Sequence, residues 1–161
     1  FPRAVGQVPI YYNYKNTGRP TGAPGVFWSH YEDEKNSPLY PFGYGLSYTS
    51  FEYSNLQVEV MSGNKVNISV TLKNSGQKTG KEVVQLYIRD HFASVTRPVK
   101  ELKGFELVTL EPSESKEISF ILTEEELGFY DNDGQFIFEK GDFTIFVGGD
   151  SNANLQAQIT L

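Results

Sequence analysis

Val66-Asn67-Ile68-Ser69-Val70-Thr71-Leu72-Lys73 is the stretch that decides the fold. Apolar and polar side chains alternate along it with a period of two. In an extended chain successive side chains point to opposite faces, so this octet is a strand with one dry side and one wet side. A slip of one residue would turn all four aliphatic side chains outward, so the register is firmly specified.

The same signal recurs on both sides of the octet. Leu56, Val58 and Val60 alternate before it, and Ser62-Gly63-Asn64 makes the turn between the two runs. Val84, Leu86 and Ile88 alternate after it, with Val83 and Tyr87 on the opposite side; apolar character on both faces places that strand centrally. Residues 102–110 read as an interrupted strand, with Gly104 at a bulge. Ile118 and Phe120, then Phe143, Ile145 and Val147, then Leu155, Ala157, Ile159 and Leu161 complete the pattern. Glu111-Pro112-Ser113-Glu114 reads as a type I turn. Thr123-Glu124-Glu125-Glu126 has capping-box spacing and begins a single helical turn. Asp131-Asn132-Asp133-Gly134 reads as a plain turn rather than a calcium loop, because its glycine comes too early.

About seven short strands with frequent turns give an all-β fold, a two-sheet antiparallel sandwich. The expected inward set is Val66, Ile68, Val70, Leu72, Val84, Leu86, Ile88, Ile118, Phe120, Phe143, Ile145 and Val147.

The N-terminal third is different. Val8-Pro9-Ile10-Tyr11-Tyr12 is a candidate edge strand, since Pro9 lacks a donor. Residues 13–34 are loop, with turn signals at Asn16-Thr17-Gly18, Arg19-Pro20, Thr21-Gly22 and Pro24-Gly25. Then comes Tyr40-Pro41-Phe42-Gly43-Tyr44-Gly45-Leu46-Ser47-Tyr48-Thr49-Ser50. Its rings, glycines and proline suit neither helix nor strand. We read it as a packed connector joining two halves of chain, with Phe42 and Leu46 well buried. Tyr40, Phe42, Tyr44, Leu46 and Tyr48 are the candidate interdomain packing residues. Residues 1–24 are expected to make few contacts with the sandwich, and Phe1-Pro2-Arg3 reads as the middle of a longer polypeptide.

Composition narrows the function. The 161 residues carry a net charge of −6 and no block of Lys or Arg, so a nucleic-acid role has no electrostatic support. No apolar run approaches the ~20 residues of a membrane helix. Without cysteine there is no disulfide or thiolate metal site. No metal-ligand spacing, cofactor motif or nucleophile context appears, and we assign no catalytic, cofactor-binding or metal residue. Glu124, Glu125 and Glu126 suit a helix start better than a catalytic pair, which needs two carboxylates facing across a cleft. His30 and His91 stand far apart. Asn67-Ile68-Ser69 is a glycosylation sequon in mid-strand.

Several long motifs carry a resemblance. Phe1-Pro2-Arg3 with Gly6-Gln7-Val8-Pro9, Asn16-Thr17-Gly18-Arg19-Pro20, Pro38-Leu39-Tyr40-Pro41-Phe42-Gly43-Tyr44-Gly45-Leu46-Ser47-Tyr48-Thr49, Val83-Val84-Gln85-Leu86-Tyr87 and Arg97-Pro98-Val99-Lys100-Glu101-Leu102-Lys103-Gly104-Phe105 resemble the C-terminal end of glycoside hydrolase family 3 β-glucosidases, most nearly the bacterial periplasmic type. The resemblance implies a fibronectin type III-like sandwich over residues 46–161. Residues 1–45 would be the tail of a preceding α/β sandwich domain plus a linker, an irregular N-terminal extension here. It also implies a periplasmic or secreted parent that hydrolyses β-glucosides with retention. Its catalytic domains lie upstream in the same polypeptide and are the implied partner. The family's Ser-Asp-Trp nucleophile motif has no match, so no catalytic residue carries over. Ser113 stands where the family usually has glycine, which favours the type I turn. His30 stands where a basic residue commonly precedes Tyr31. The implied role is a non-catalytic brace. The alternative is a carbohydrate-binding module that stacks sugars on exposed aromatics.

Overall fold

Val66, Ile68, Val70 and Leu72 line the inner side of β2 (Lys65–Asn74) and are completely buried, while Asn67, Ser69 and Thr71 between them reach solvent. β2 pairs antiparallel with β1 (Phe51–Met61) on one side and β5 (Ser115–Leu122) on the other. Opposite this three-stranded sheet lies a four-stranded one, ordered β4-β3-β8-β9, from β3 (Gly80–Asp90), β4 (Glu101–Leu110), β8 (Asp142–Gly148) and β9 (Leu155–Thr160). Between β5 and β8 the chain makes a single turn of helix, α1 (Glu124–Leu127), and a small hairpin of β6 (Phe129–Tyr130) and β7 (Phe136–Ile137). The structure, a computed structural model, describes residues 1–16 and 30–161. The turn signals from Thr17 to Gly25 therefore lie outside the described residues.

All twelve expected inward residues face the core; Phe120 alone is only partly buried. The core also takes Val108 and Leu110 from β4, Leu122 from β5 and Leu127 from α1. β3 is central in its sheet, as its two apolar faces require. The bulge falls at Lys103: Leu86 pairs with Gly104 and Tyr87 with Leu102, leaving one residue unmatched. Gly104 eases the packing there, since a Cβ would come 3.0 Å from the Phe120 ring. A second bulge lies in β1, where Asn55 adopts φ +54 and the register shifts between Ser54 and Gln57. The capping box at Thr123 forms in full, with the Thr123 side chain accepting from Glu125 N and Glu126 accepting from Thr123 N at 2.7 Å.

Two expectations fail. The turn after β4 has Ser113 at φ +67, with Glu114 N donating to Glu111 O at 3.1 Å. A positive φ at the third position is the mark of a type II turn, not type I. The backbone is fixed by neighbours: Ser113 N donates to Asn74 O, and Asn74 N to Glu114 O, each at 2.9 Å. Those two bonds override the preference of a single serine. Residues 8–12 also form no strand. A 3₁₀ turn (Val5–Gln7) precedes them, and the buried Gln7 amide donates to the carbonyls of Lys35 at 2.6 Å and Ser37 at 3.1 Å. This part of the chain is held by side-chain bonds to residues 35–37 rather than by a ladder.

Asn74, at the end of β2, is a fully buried amide with every site used. Its Oδ1 accepts from Thr49 Oγ1 at 2.6 Å and Gly76 N at 3.1 Å. Its Nδ2 donates to Lys78 O at 2.7 Å and Leu110 O at 3.0 Å. Asn74→Asp removes both donors and sets a carboxylate against two carbonyls. An unsatisfied buried group costs ~1–3 kcal/mol, so we expect urea unfolding to show a loss of about 3 kcal/mol or more. A loss under about 1 kcal/mol would mean this junction is not structural.

Candidate interdomain site

The outer face of the four-stranded sheet carries the N-terminal arm. Residues 43–50 lead from the outward Gln85 to Gly80 at the start of β3, which pairs with the buried Leu110. At one end Gly43 sits over Gln85: it has φ +81, and a Cβ there would collide with the Gln85 amide. At the other end Thr49 and Ser47 lie over Gly80, where a Cβ would meet the Thr49 methyl at 2.5 Å. Gly43 is favoured by its positive φ and by the Gln85 amide packed on it, and Gly80 by the side chains of Thr49, Phe51 and Ser47. Two of the polar bonds join main chain to main chain. Ser151 N donates to Phe42 O at 2.8 Å, and Ser75 N to Ser50 O at 2.9 Å. Gln85 Nε2 donates to Gly43 O at 3.4 Å and also to Gly149 O, while its Oε1 accepts from the Tyr87 hydroxyl.

Because the backbone faces inward, the side chains face out. This corrects the expected burial of Phe42 and Leu46. Phe42 is half exposed, Leu46 is 90% exposed and Tyr48 is 93% exposed. Tyr40 and Tyr44 are also exposed and stack on each other, centroids 5.0 Å apart at 29°. Of the five candidate packing residues, Phe42 reaches the buried Tyr87 of the sandwich through a partner the sequence did not reveal, and Tyr48 meets Lys78 at 5.7 Å. Tyr12 stacks on Phe42 at 4.5 Å and 20°, and meets the buried Tyr87 edge-on at 5.7 Å.

The arm is therefore docked, against expectation. Leu102 N donates to the Tyr12 hydroxyl at 3.4 Å, Val99 N donates to Tyr14 O at 2.9 Å, and Lys15 bridges Pro98. Residues 1–16 and 30–50 also grip each other: Leu39 N donates to Phe1 O at 2.9 Å, and Arg3 Nε to Ser37 O at 3.0 Å. The motif Arg97-Pro98-Val99-Lys100-Glu101-Leu102 supplies the seat. Arg97 is buried over the Phe129 ring at 4.5 Å, donates to Glu101 Oε1 at 2.7 Å and faces Asp90 at 3.7 Å. Burial raises the Asp90 pKa, and the Arg97 charge opposes that rise. Lys100 donates to the carbonyls of Ser151 at 2.9 Å and Ala153 at 3.0 Å, with its ammonium 4.1 Å from the Phe146 ring. Burial lowers its pKa, against the pull of Asp150.

Beside this seat, under the turn at Gly149, Glu82 accepts from the Tyr53 hydroxyl at 2.8 Å. Burial raises the Glu82 pKa; the Tyr53 hydrogen bond opposes the rise and the Asp150 charge adds to it. Burial likewise raises the pKa of Tyr53. His91 pairs with Thr144 Oγ1 at 2.8 Å. Glu124 to Glu126 belong to the capped turn, distant in chain and role from the arm. What the outer face offers chemically is apolar contact and main-chain anchoring.

Residues 82–151 match the fibronectin type III-like domain family. The chain is 47% identical over 156 residues to a periplasmic β-glucosidase of Salmonella typhimurium, covering 94% of this chain and 20% of that protein. A crystal structure of a β-glucosidase from Listeria innocua, in complex with isofagomine, superposes with a TM-score of 0.90 at 42% identity, over 99% of this chain and 23% of that one. This chain matches the fibronectin type III-like segment of glycoside hydrolase family 3 β-glucosidases. A putative β-xylosidase of Formosa agariphila is also similar, 43% identical over 153 residues, 93% of this chain and 19% of that protein. The segment spans about a fifth of the length of the curated relatives it matches.

Two outcomes test this description of the fibronectin type III-like segment. Tyr12→Ala and Phe42→Ala should each lower the unfolding midpoint, and the double variant should lose less than their sum by ~0.5–1.5 kcal/mol, the worth of a stacked pair. Strict additivity would show that the rings do not meet. Glu82 gives a pH test. Its folded pKa is raised, so its contribution is complete below the unfolded carboxyl value of about 4.3 and is lost as pH rises through the folded value. Glu82→Gln keeps an acceptor for Tyr53. Its Tm should exceed that of the parent segment at pH 7, with the gain vanishing near pH 4.

Proposed function

We propose that this segment is the non-catalytic C-terminal module of a β-glucosidase and braces the catalytic domains upstream in the same polypeptide. Residues 46–161 are the folded module, and residues 1–45 are the end of the preceding domain and the linker. Tyr40, Phe42, Tyr44, Leu46 and Tyr48 are the packing residues. One observation carries the reading: the connector is anchored by its backbone while Leu46 and Tyr48 stand almost wholly in solvent. Large apolar side chains fixed in exposed positions are an interface awaiting a partner. The parent works in the periplasm or outside the cell, in keeping with the periplasmic relative.

The stacked rings argue against sugar binding on the connector. One face of each ring is already engaged: Tyr40 and Tyr44 face each other, Phe42 faces Tyr12, and Lys78 lies over Tyr48 at 5.7 Å.

The test uses the whole parent polypeptide beside the isolated segment. Leu46→Ser with Tyr48→Ser should lower the Tm of the parent by a few degrees, since burying each side chain is worth ~1.5–3 kcal/mol. The Tm of the isolated segment should not change. Loss of laminarin binding with no change in Tm would favour the sugar-binding role instead. The isolated segment should release no nitrophenol from an aryl β-glucoside, whereas the parent should.

A further inference from the structure

The two outer faces of the sandwich differ in kind. On the three-stranded sheet the outward residues of β2 and β5 include Asn67, Ser69, Thr71, Lys73, Glu117 and Ser119, a mostly polar surface with the exposed Ile121 as its apolar exception. On the four-stranded sheet the outward positions of β3 and β4 include Val83, Gln85 and Tyr87 facing Leu107, Phe105 and Leu102. The arm covers one end of this face: Tyr12 lies on Tyr87, and Gly43 on Gln85. The other end is bare. Phe105 is 70% exposed, Leu107 60% and Val83 38%, and Val83 and Leu107 are directly paired. The connector leaves this face at Gln85, and its Leu46 and Tyr48 stand exposed.

We infer that Val83, Phe105 and Leu107 are the sandwich's own half of the interdomain contact, and that an apolar surface of the preceding domain of the same polypeptide covers them. The inference rests on the bracing role proposed above and extends it from the connector to the sheet. Two observations select this occupant. The patch is continuous with the seat of the arm, so whatever precedes the arm is already tethered to this face. The segment is also only about a fifth as long as its relatives, so a large body of chain is available to cover it. The bulge at Lys103 serves the contact: it lets one strand seat the Tyr12 hydroxyl through Leu102 and still turn Phe105 and Leu107 outward.

The segment has no cysteine, so single thiols can report on each position. Leu107→Cys, Phe105→Cys, Tyr48→Cys and Ser119→Cys would be made in the whole parent and in the isolated segment. Maleimide labelling rates would be read by peptide mass at each site. In the isolated segment all four should label quickly. In the parent, Leu107→Cys and Phe105→Cys should label at least about tenfold more slowly, the effect of ~1.4 kcal/mol of docking. Ser119→Cys, on the polar face, should stay fast. Equal rates at 105 and 107 in parent and segment would overturn the inference. If Tyr48→Cys is protected while those two are not, the connector brace stands and the sheet contact falls; if all three are open, both fall. Protection at 105 and 107 that disappears on dilution would assign the face to a second copy and overturn the inference too.

Discussion

The buried amide of Asn74 holds four segments at one point. It ends β2 in one sheet, bonds Leu110 in the other, fixes the loop at Gly76 and Lys78, and receives Thr49 at the end of the connector. Its backbone binds the turn at Ser113 and Glu114. Two sheets packed by side chains alone can slide, since apolar contact is not directional. A saturated amide is directional, and leaving any of its partners unpaired in the interior is costly. The relation of sheet to sheet, and of connector to both, is thus set by hydrogen-bond geometry at one end of the sandwich.

From that point the connector is laid down by its backbone. Glycine at 43 makes room for the Gln85 amide, glycine at 80 makes room for Thr49 and Ser47, and the carbonyl of Phe42 accepts from Ser151 N. The arm returns over the same surface through Tyr12 and Tyr14, onto the loop that the buried Arg97 stabilises. The long motif from Arg97 to Phe105 has a separate task for nearly every residue. Arg97 braces the loop, Val99 bonds the arm, Lys100 ties the turn at Ser151, Glu101 receives Arg97, and Gly104 clears Phe120.

Sequence made the sandwich legible because period-two alternation is a local property, and β2 carries it without interruption. Capping at Thr123 and the bulge near Gly104 were legible for the same reason. What failed was non-local. Nothing in residues 8–12 says that Tyr12 meets Tyr87, some seventy-five positions later. Ser113 was forced into a left-handed conformation by bonds from Asn74, against its own preference. The connector is anchored by main-chain bonds, and Phe42 and Leu46, expected inside, are exposed. Aromatic content marks a segment that must be covered; it does not say which side of the backbone the cover comes from. The second apolar face of β3 was the missed clue to the arm's seat.

The pairing of β2 with β5 has a consequence for synthesis. β2 is complete at Asn74, but its second neighbour, with Ile118 and Leu122, follows only after β3 and β4, which belong to the other sheet. Leu122 leaves the ribosome fifty residues after Leu72. At ~5–20 residues per second, the β1–β2 hairpin waits for roughly three to ten seconds with an open edge and a bare aliphatic row. During that interval Asn67, Ser69, Thr71 and Lys73 serve the nascent chain. They keep one side of the hairpin wet and one register preferred until the chain that closes it arrives.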